Sequence, residues 1–226
     1  MDKKIILALD NLDLDSAIKI TNQVKDKLLA VKIGLELKNL LEKKEIEQIS
    51  KLGVPIMLDL KLQDIPHTVY RSILALKEIK FKYLTVMSLG GNEMIKQAKK
   101  AASELDPNIK VLAVTILTSL TKKELSEMGF NSSVEDTVVQ LAKNSSEADG
   151  YCCSALEVKL LREKVSKDKL IFCPGIRMLG DSKNDQARSA SPALALKNGA
   201  DACIMGRSLL QGDINKNLEK VLNSIK

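Results

Sequence analysis

A chain of 226 residues, 45% hydrophobic and 28% charged, is long enough to bury a sizeable core and fits one large domain, since domains run to about 100–200 residues and barrels to about 250. Aromatic residues make up 3% and Trp is absent, so aliphatic side chains must fill the core, and the base-stacking platforms of nucleic-acid-binding modules are nearly missing. The net charge is +6, but 35 basic and 29 acidic residues are interleaved along the chain, so the basic excess is diffuse.

The N-terminal stretch MDKKIILALD carries an apolar run of only five residues before Asp10, too short for a secretion signal. No later run approaches the 18 or so apolar residues of a membrane span. The four cysteines, Cys152, Cys153, Cys173 and Cys203, form no C-x-x-C pair and have no nearby His. A reduced, cytoplasmic protein with no membrane association is expected.

Short apolar runs rich in Ile, Val and Leu recur from the N-terminus onward. They fall at 5–9, 28–33, 54–60, 83–87, 111–117, 148–153, 170–174 and 200–206. Helical periodicity lies between them, as in Ala17, Ile20, Val24 and Leu28, or Val138, Leu141 and Ala142. The strand ends are spaced 21 to 36 residues apart with a mean of 28, close to the roughly 30 per unit of an eight-fold βα repeat. Near-continuous apolar strands are what a parallel sheet covered on both faces requires. The pattern predicts an α/β chain folded as one (β/α)₈ TIM-barrel domain over 1–226, with an open doubly wound sheet as the alternative. The G-x-G-x-x-G turn that would favour the open sheet is missing after the first strand, where Asp10-Asn11-Leu12-Asp13 stands.

In such a barrel, functional groups sit at the C-terminal ends of strands. Asp10 ends the first strand, Lys32 interrupts the apolar run of the second, Asp59 and Lys61 end the third, and Asp64 follows in the loop. An ionisable residue inside an apolar strand is costly unless paired, so Lys32 needs a carboxylate or an anionic ligand. Residues 59 and 61 are two apart and share a face of an extended strand, so Asp59 can hold Lys61 charged. With Lys32 and Asp64 they make an alternating array of two ammoniums and two carboxylates. Such an array is hard to explain by stability alone, because burying four charges seldom improves on apolar packing.

A second group suits phosphate. Only five of the basic residues are Arg, and Arg177, Arg188 and Arg207 fall in the last quarter of the chain. The seventh strand ends Pro174-Gly175-Ile176-Arg177 and the eighth Met205-Gly206-Arg207-Ser208. The loops after strands seven and eight of barrels frequently bind phosphate, with Gly permitting close approach and Arg supplying a forked donor. The polar stretch Gly180 to Ser191 between them is expected to be a mobile active-site loop. His67, the one histidine, reads as a solvent-facing loop residue, Glu36 as a helix-start charge, and Cys152 and Cys153 as small core residues.

The stretch Asp59-Leu60-Lys61-Leu62-Gln63-Asp64-Ile65-Pro66-His67-Thr68 resembles the D-x-K-x-x-D-I-P-x-T signature of the orotidine 5′-phosphate decarboxylase family. The resemblance runs over essentially the whole chain, from LALD at Asp10 and VKIG at Lys32 through Leu117-Thr118-Ser119, Cys153-Ser154-Ala155 and PGIR at Arg177. It continues through Asp185-Gln186-Ala187-Arg188 to Gly206-Arg207. It implies a homodimeric barrel that converts orotidine 5′-phosphate to UMP and CO₂, the last step of de novo pyrimidine synthesis, with no metal and no organic cofactor. On the matching residues it implies that Asp10 and Lys32 hold the ribose hydroxyls and that Thr118 lines the nucleotide site. Arg177, Gln186, Gly206 and Arg207 would clamp the phosphate, and Asp64 and Thr68 would reach into the partner subunit's site. Lys61 would stabilise the carbanion left at C6 and protonate it, with Asp59 beside the departing carboxylate. The chain departs from the pattern at Met87, where the family commonly has His, at Met178 in place of Pro and at Ser191 in place of Thr, so no pyrimidine contact is assigned to the fourth strand.

Two other functions compete. A sugar-phosphate decarboxylase or aldolase-like relative would share the D-x-K-x-x-D strand but use Mg²⁺, and metal dependence separates the two. A non-catalytic basic barrel that binds nucleic acid would show steeply salt-dependent binding; the scarcity of aromatics and the siting of charges at strand ends argue against it.

Overall fold

The computed structural model describes residues 3–165, 167–178 and 189–225. Eight parallel strands close into a barrel in sequence order: β1 (Ile5–Ala8), β2 (Ala30–Gly34), β3 (Ile56–Leu62), β4 (Tyr83–Met87), β5 (Lys110–Val114), β6 (Gly150–Cys152), β7 (Leu170–Cys173) and β8 (Ala202–Met205), with β8 pairing back on β1. The chain is therefore a (β/α)₈ barrel, as its spacing predicts, and the open sheet is excluded. Every strand overlaps an apolar run of the sequence. The fifth ends three residues short of its run, at Val114, and hands Leu117 and Thr118 to the loop above it.

Side chains alternate between two cores, because successive strand residues point to opposite faces. Outward-facing residues such as Ile5, Leu7, Ile33, Leu58, Leu84 and Ile171 pack against the surrounding helices. The inward row fills the barrel itself with Ile6, Ala8, Ala30, Met57, Tyr83, Leu112, Val114, Cys152, Phe172, Ala202 and Ile204. Tyr83 and Phe172 meet edge to face there, with ring centroids 5.0 Å apart. Where the interior is tightest only glycine fits: a Cβ on Gly150 would lie 2.3 Å from the carbonyl oxygen of Leu170 on the neighbouring strand.

The helices follow local rules. Helix Leu14–Val24 starts at Asp13, whose carboxylate accepts the Ser16 N–H at 2.8 Å, and it buries Ala17, Thr21 and Val24. It stops at Val24, so the buried Leu28 reaches the core from beyond the helix. Helix Val134–Lys143 is capped by Ser133 and buries Val138, Leu141 and Ala142 as its periodicity requires. At the N-terminal end of the barrel one device appears twice. Asp149 before β6 accepts the Val111 N–H at 2.9 Å, and Asp201 before β8 accepts the Ile171 N–H at 2.7 Å while pairing with Arg162 at 2.6 Å. These carboxylates close the ends of strands and lie away from the chemistry, at the face of a barrel that serves stability. Among the described residues no helix is long and apolar enough to cross a membrane.

Candidate active site

The period of two that fills the barrel also builds the site. Two residues beyond the inward-facing Ala30, Met57 and Tyr83 stand Lys32, Asp59 and Thr85, which form a polar layer on top of the apolar plug. Above it opens a cavity of about 450 Å³, lined among others by Asp10, Lys32, Asp59, Lys61, Thr118, Arg177, Gly206 and Arg207. Gly34 leaves room for the Lys32–Asp10 pair: a Cβ there would lie 3.0 Å from Lys32 Nζ and 3.3 Å from Asp10 Oδ1.

Charge runs through the cavity as an alternating chain. Lys32 Nζ donates to Asp10 Oδ1 at 2.9 Å and stands 3.6 Å from Asp59 Oδ2, which in turn meets Lys61 Nζ at 2.8 Å. Lys32 and Asp59 are nearly buried, at 10% and 12% side-chain exposure, whereas Lys61 at 33% and Asp10 at 42% face the opening. Burial alone would raise the carboxyl of Asp59. The ammoniums of Lys32 and Lys61, with hydrogen bonds from Lys61 and Thr85, outweigh it and hold the group below its ordinary value of 3.8.

The strand carrying this pair is not the regular extended segment that the two-residue spacing assumes. Leu58 pairs with Leu84 and Leu62 with Val86, so Asp59, Leu60 and Lys61 bulge against the single residue Thr85. Lys61 sits at φ +47, a left-handed conformation rare for a long side chain. Asp59 and Lys61 still meet, but through a bulge rather than by sharing a pleat.

Asp64 departs from the expected array. It is exposed, accepts the Ile65 N–H at 2.7 Å just before helix Pro66–Leu74, and is not among the residues lining the cavity of its own chain. The fourth charge beside Lys32, Asp59 and Lys61 is Asp10, because β3 ends at Leu62, two residues before Asp64. Thr68, on the first turn of that helix, likewise lies outside the cavity. His67 is exposed as expected but belongs to the helix rather than to a loop.

Arg177 and Arg207 both line the opening, at the ends of β7 and β8. Gly175 at φ +72 makes the turn after β7, and Arg177 N–H donates to Ala190 O at 2.9 Å, so residues 175–177 pair with the returning chain. Gln186 and residues 180–188 of the expected loop lie outside the described residues.

Glu36 is a first-turn charge of helix Leu35–Leu40, and it also borders the cavity, where its carboxylate accepts the Asn11 N–H at 3.3 Å. All four cysteines are free and buried. Burial pushes the Cys152 thiol well above its ordinary value and Cys203 up to about 12, in keeping with small core residues. Thr85 and Asn11 escaped the sequence analysis. For Thr85 the signal was its inward register two residues after Tyr83, in a layer where the neighbouring strands place charges.

Residues 3–220 match the model of the orotidine 5′-phosphate decarboxylase / HUMPS family. The chain belongs to this family. It is similar to the orotidine 5′-phosphate decarboxylase of Fusobacterium nucleatum subsp. nucleatum, 39% identical over 229 residues that cover 100% of this chain and 95% of the relative. The enzyme of the same name from Lactobacillus johnsonii is 42% identical over 221 residues, covering 92% of each chain. Among solved structures, orotidine 5′-phosphate decarboxylase from Lactobacillus acidophilus superposes with a TM-score of 0.86 at 34% identity, over 100% of both chains.

Proposed function

We propose that this chain is a cytoplasmic, homodimeric carboxy-lyase that converts orotidine 5′-phosphate to UMP and CO₂ in pyrimidine biosynthesis, without a metal ion and with Lys61 as the proton donor to C6. The observation that carries the proposal is the Asp10–Lys32–Asp59–Lys61 chain of charges inside a cavity edged by Arg177 and Arg207. Both of its carboxylates, Asp10 and the inner Asp59, are already engaged by ammoniums, which suits charge stabilisation by the protein itself.

Breaking the bond between C6 and the carboxylate releases CO₂ and leaves the electron pair on C6 in an orbital that the ring π-system cannot delocalise. Stabilisation must come from a charge aimed at that atom. Lys61 supplies it, then transfers a proton from Nζ to C6 and regains one from water, so atoms and charge balance. Asp59, kept ionised, holds the ammonium in place through the reaction. Asp10 and Lys32 hold the ribose hydroxyls, Thr118 lines the nucleotide pocket, and Arg177, Gln186, Gly206 and Arg207 clamp the phosphate. Binding energy gained on this remote, non-reacting group is available to lower the barrier at C6. Arg207→Ala is therefore expected to reduce kcat/KM by about 10²-fold, as befits loss of a charge-assisted hydrogen bond of about 1.5–3 kcal/mol and the positioning it provides. A change within twofold would remove Arg207 from the clamp.

Asp64 and Thr68, exposed or half-buried outside their own cavity, complete the partner's site, and the exposed Leu35, Ile65 and Leu89 near the mouths of β2 to β4 give the dimer an apolar contact. Mixing Lys61→Ala with Asp64→Ala protein should form hybrid dimers in which one site is intact, restoring up to about a quarter of wild-type activity on statistical grounds. Mixtures no more active than their components would place Asp64 outside the partner's site. The decisive test of function is UMP formation from orotidine 5′-phosphate in excess EDTA. Turnover that persists supports the assignment; turnover only with added Mg²⁺, or only on sugar phosphates, overturns it.

A further inference from the structure

Thr85 is completely buried at the one point where β3 and β4 lose register. Its hydroxyl donates to Asp59 Oδ1 at 2.9 Å and accepts the Lys61 backbone N–H at 2.9 Å. A threonine hydroxyl has a single proton to give, and here a carboxylate takes it, which leaves its lone pairs for the amide of Lys61. The bulge removes the Lys61 N–H from the regular ladder, and Thr85 Oγ1 replaces the missing carbonyl acceptor. One side chain therefore fastens both the backbone of Lys61 and the carboxylate that faces the Lys61 ammonium. A left-handed conformation costs a non-glycine residue about 1–2 kcal/mol, so the φ of +47 at Lys61 needs something to hold it.

We infer that Thr85 is a positioning residue: through its two hydrogen bonds it holds Lys61 in the left-handed conformation that aims the ammonium into the cavity and fixes Asp59 against it. The inference rests on the decarboxylase assignment for its kinetic consequences, though not for its structural ones. Packing alone does not need the hydroxyl, because valine fills the same volume on a buried strand. Removing it would leave the Lys61 N–H without its acceptor and Asp59 Oδ1 without its donor, inside the barrel. The groups facing Asp59 would otherwise be unchanged: Lys32 from β2, Lys61 from its own strand, and the Cys152 thiol from β6.

The test compares Thr85→Val and Thr85→Ser with wild type. Thr85→Val should lower kcat about 10- to 100-fold, the scale of a displacement near 1 Å at a reacting group, while KM for orotidine 5′-phosphate changes less than about threefold. Thr85→Ser keeps the hydroxyl and should recover kcat to within about threefold of wild type. Carbon-13 NMR of the Asp59 carboxyl should show it titrating at higher pH in Thr85→Val than in wild type or Thr85→Ser, a readout that needs no substrate. A folded Thr85→Val protein with kcat within twofold and an unmoved Asp59 titration would overturn the inference, as would equal losses in the Val and Ser variants. An inert wild type would instead defeat the decarboxylase assignment, and the Asp59 titration alone would then decide the role of Thr85. If Thr85→Val failed to fold, an unshifted Asp59 titration in a folded Thr85→Ala protein would equally overturn it.

Discussion

Lys61→Ala is expected to lower kcat/KM for orotidine 5′-phosphate by at least about 10⁴-fold while the barrel stays folded. Two effects vanish together. Proton donation by a positioned acid is worth about 10²–10⁴ in rate, and a preorganised charge at a developing carbanion about 10²–10³. They share one nitrogen and are not independent, so the lower bound is set near their larger member rather than at their product. Stability should change little, because Asp59 keeps the Thr85 hydrogen bond at 2.9 Å and the Lys32 ammonium at 3.6 Å. Following the ultraviolet difference between substrate and product, beside a thermal melt, checks both halves. A residual activity within 100-fold of wild type would mean that another group protonates C6.

The place of this site could be read from the sequence because the barrel advertises itself, whereas the role of Lys61 came from the resemblance of residues 59–68 to the decarboxylase signature. Lys32 inside AVKIG and Asp59 inside IMLDLKL stand out as charges in apolar strands, and only a mouth where they meet one another makes them tolerable. What the sequence hides is where strand regularity fails. Nothing in IMLDLKL signals a bulge, since aliphatic residues on both sides of Asp59 read as an uninterrupted strand, and the left-handed Lys61 offers no glycine as a marker. Thr85 is hidden for the converse reason. A threonine in YLTVM is an ordinary strand former, and its two hydrogen bonds exist only once β3 has been laid beside it out of register. Spacing alone put Asp64 in one array with Asp59 and Lys61, because separation along the chain does not say where β3 ends; only the resemblance took it out of its own cavity. Glu36 was legible as a helix-start charge, and its second place at the cavity edge depends on Asn11, a residue of another strand's loop.

Asp59→Ala is expected to be costly in both stability and rate, and the loss of stability depends on pH. The side chain is one shared partner for two ammoniums, with Lys32 almost buried, so its removal leaves Lys32 with Asp10 alone and Lys61 with no carboxylate within the cavity layer. Breaking a buried pair by deleting one member costs about 3–5 kcal/mol, or about 10 °C in melting temperature for a chain of this size. Because the folded-state pKa of Asp59 lies below its ordinary value of 3.8, the unfolded chain binds the proton more readily. The pairing therefore stabilises fully above about pH 5 and is lost as pH falls through the depressed folded value. Melting temperatures of wild type and Asp59→Ala should differ by a constant amount from about pH 5 to 7 and converge only in more acid solution. A gap that is unchanged in acid would mean that the charge of Asp59 contributes nothing. For catalysis, Asp59→Asn separates two roles that a carboxylate beside a departing carboxylate can play. Were repulsion of the substrate its main work, kcat and KM would fall together as ground-state strain was relieved. The 2.8 Å contact to Lys61, set against 3.6 Å to Lys32, favours positioning instead. Under positioning, kcat for Asp59→Asn falls about 10²–10³-fold while KM holds or rises, since the amide oxygen can accept a hydrogen bond from the ammonium but lacks the charge that holds it fast. A KM that drops in step with kcat would return the weight to repulsion.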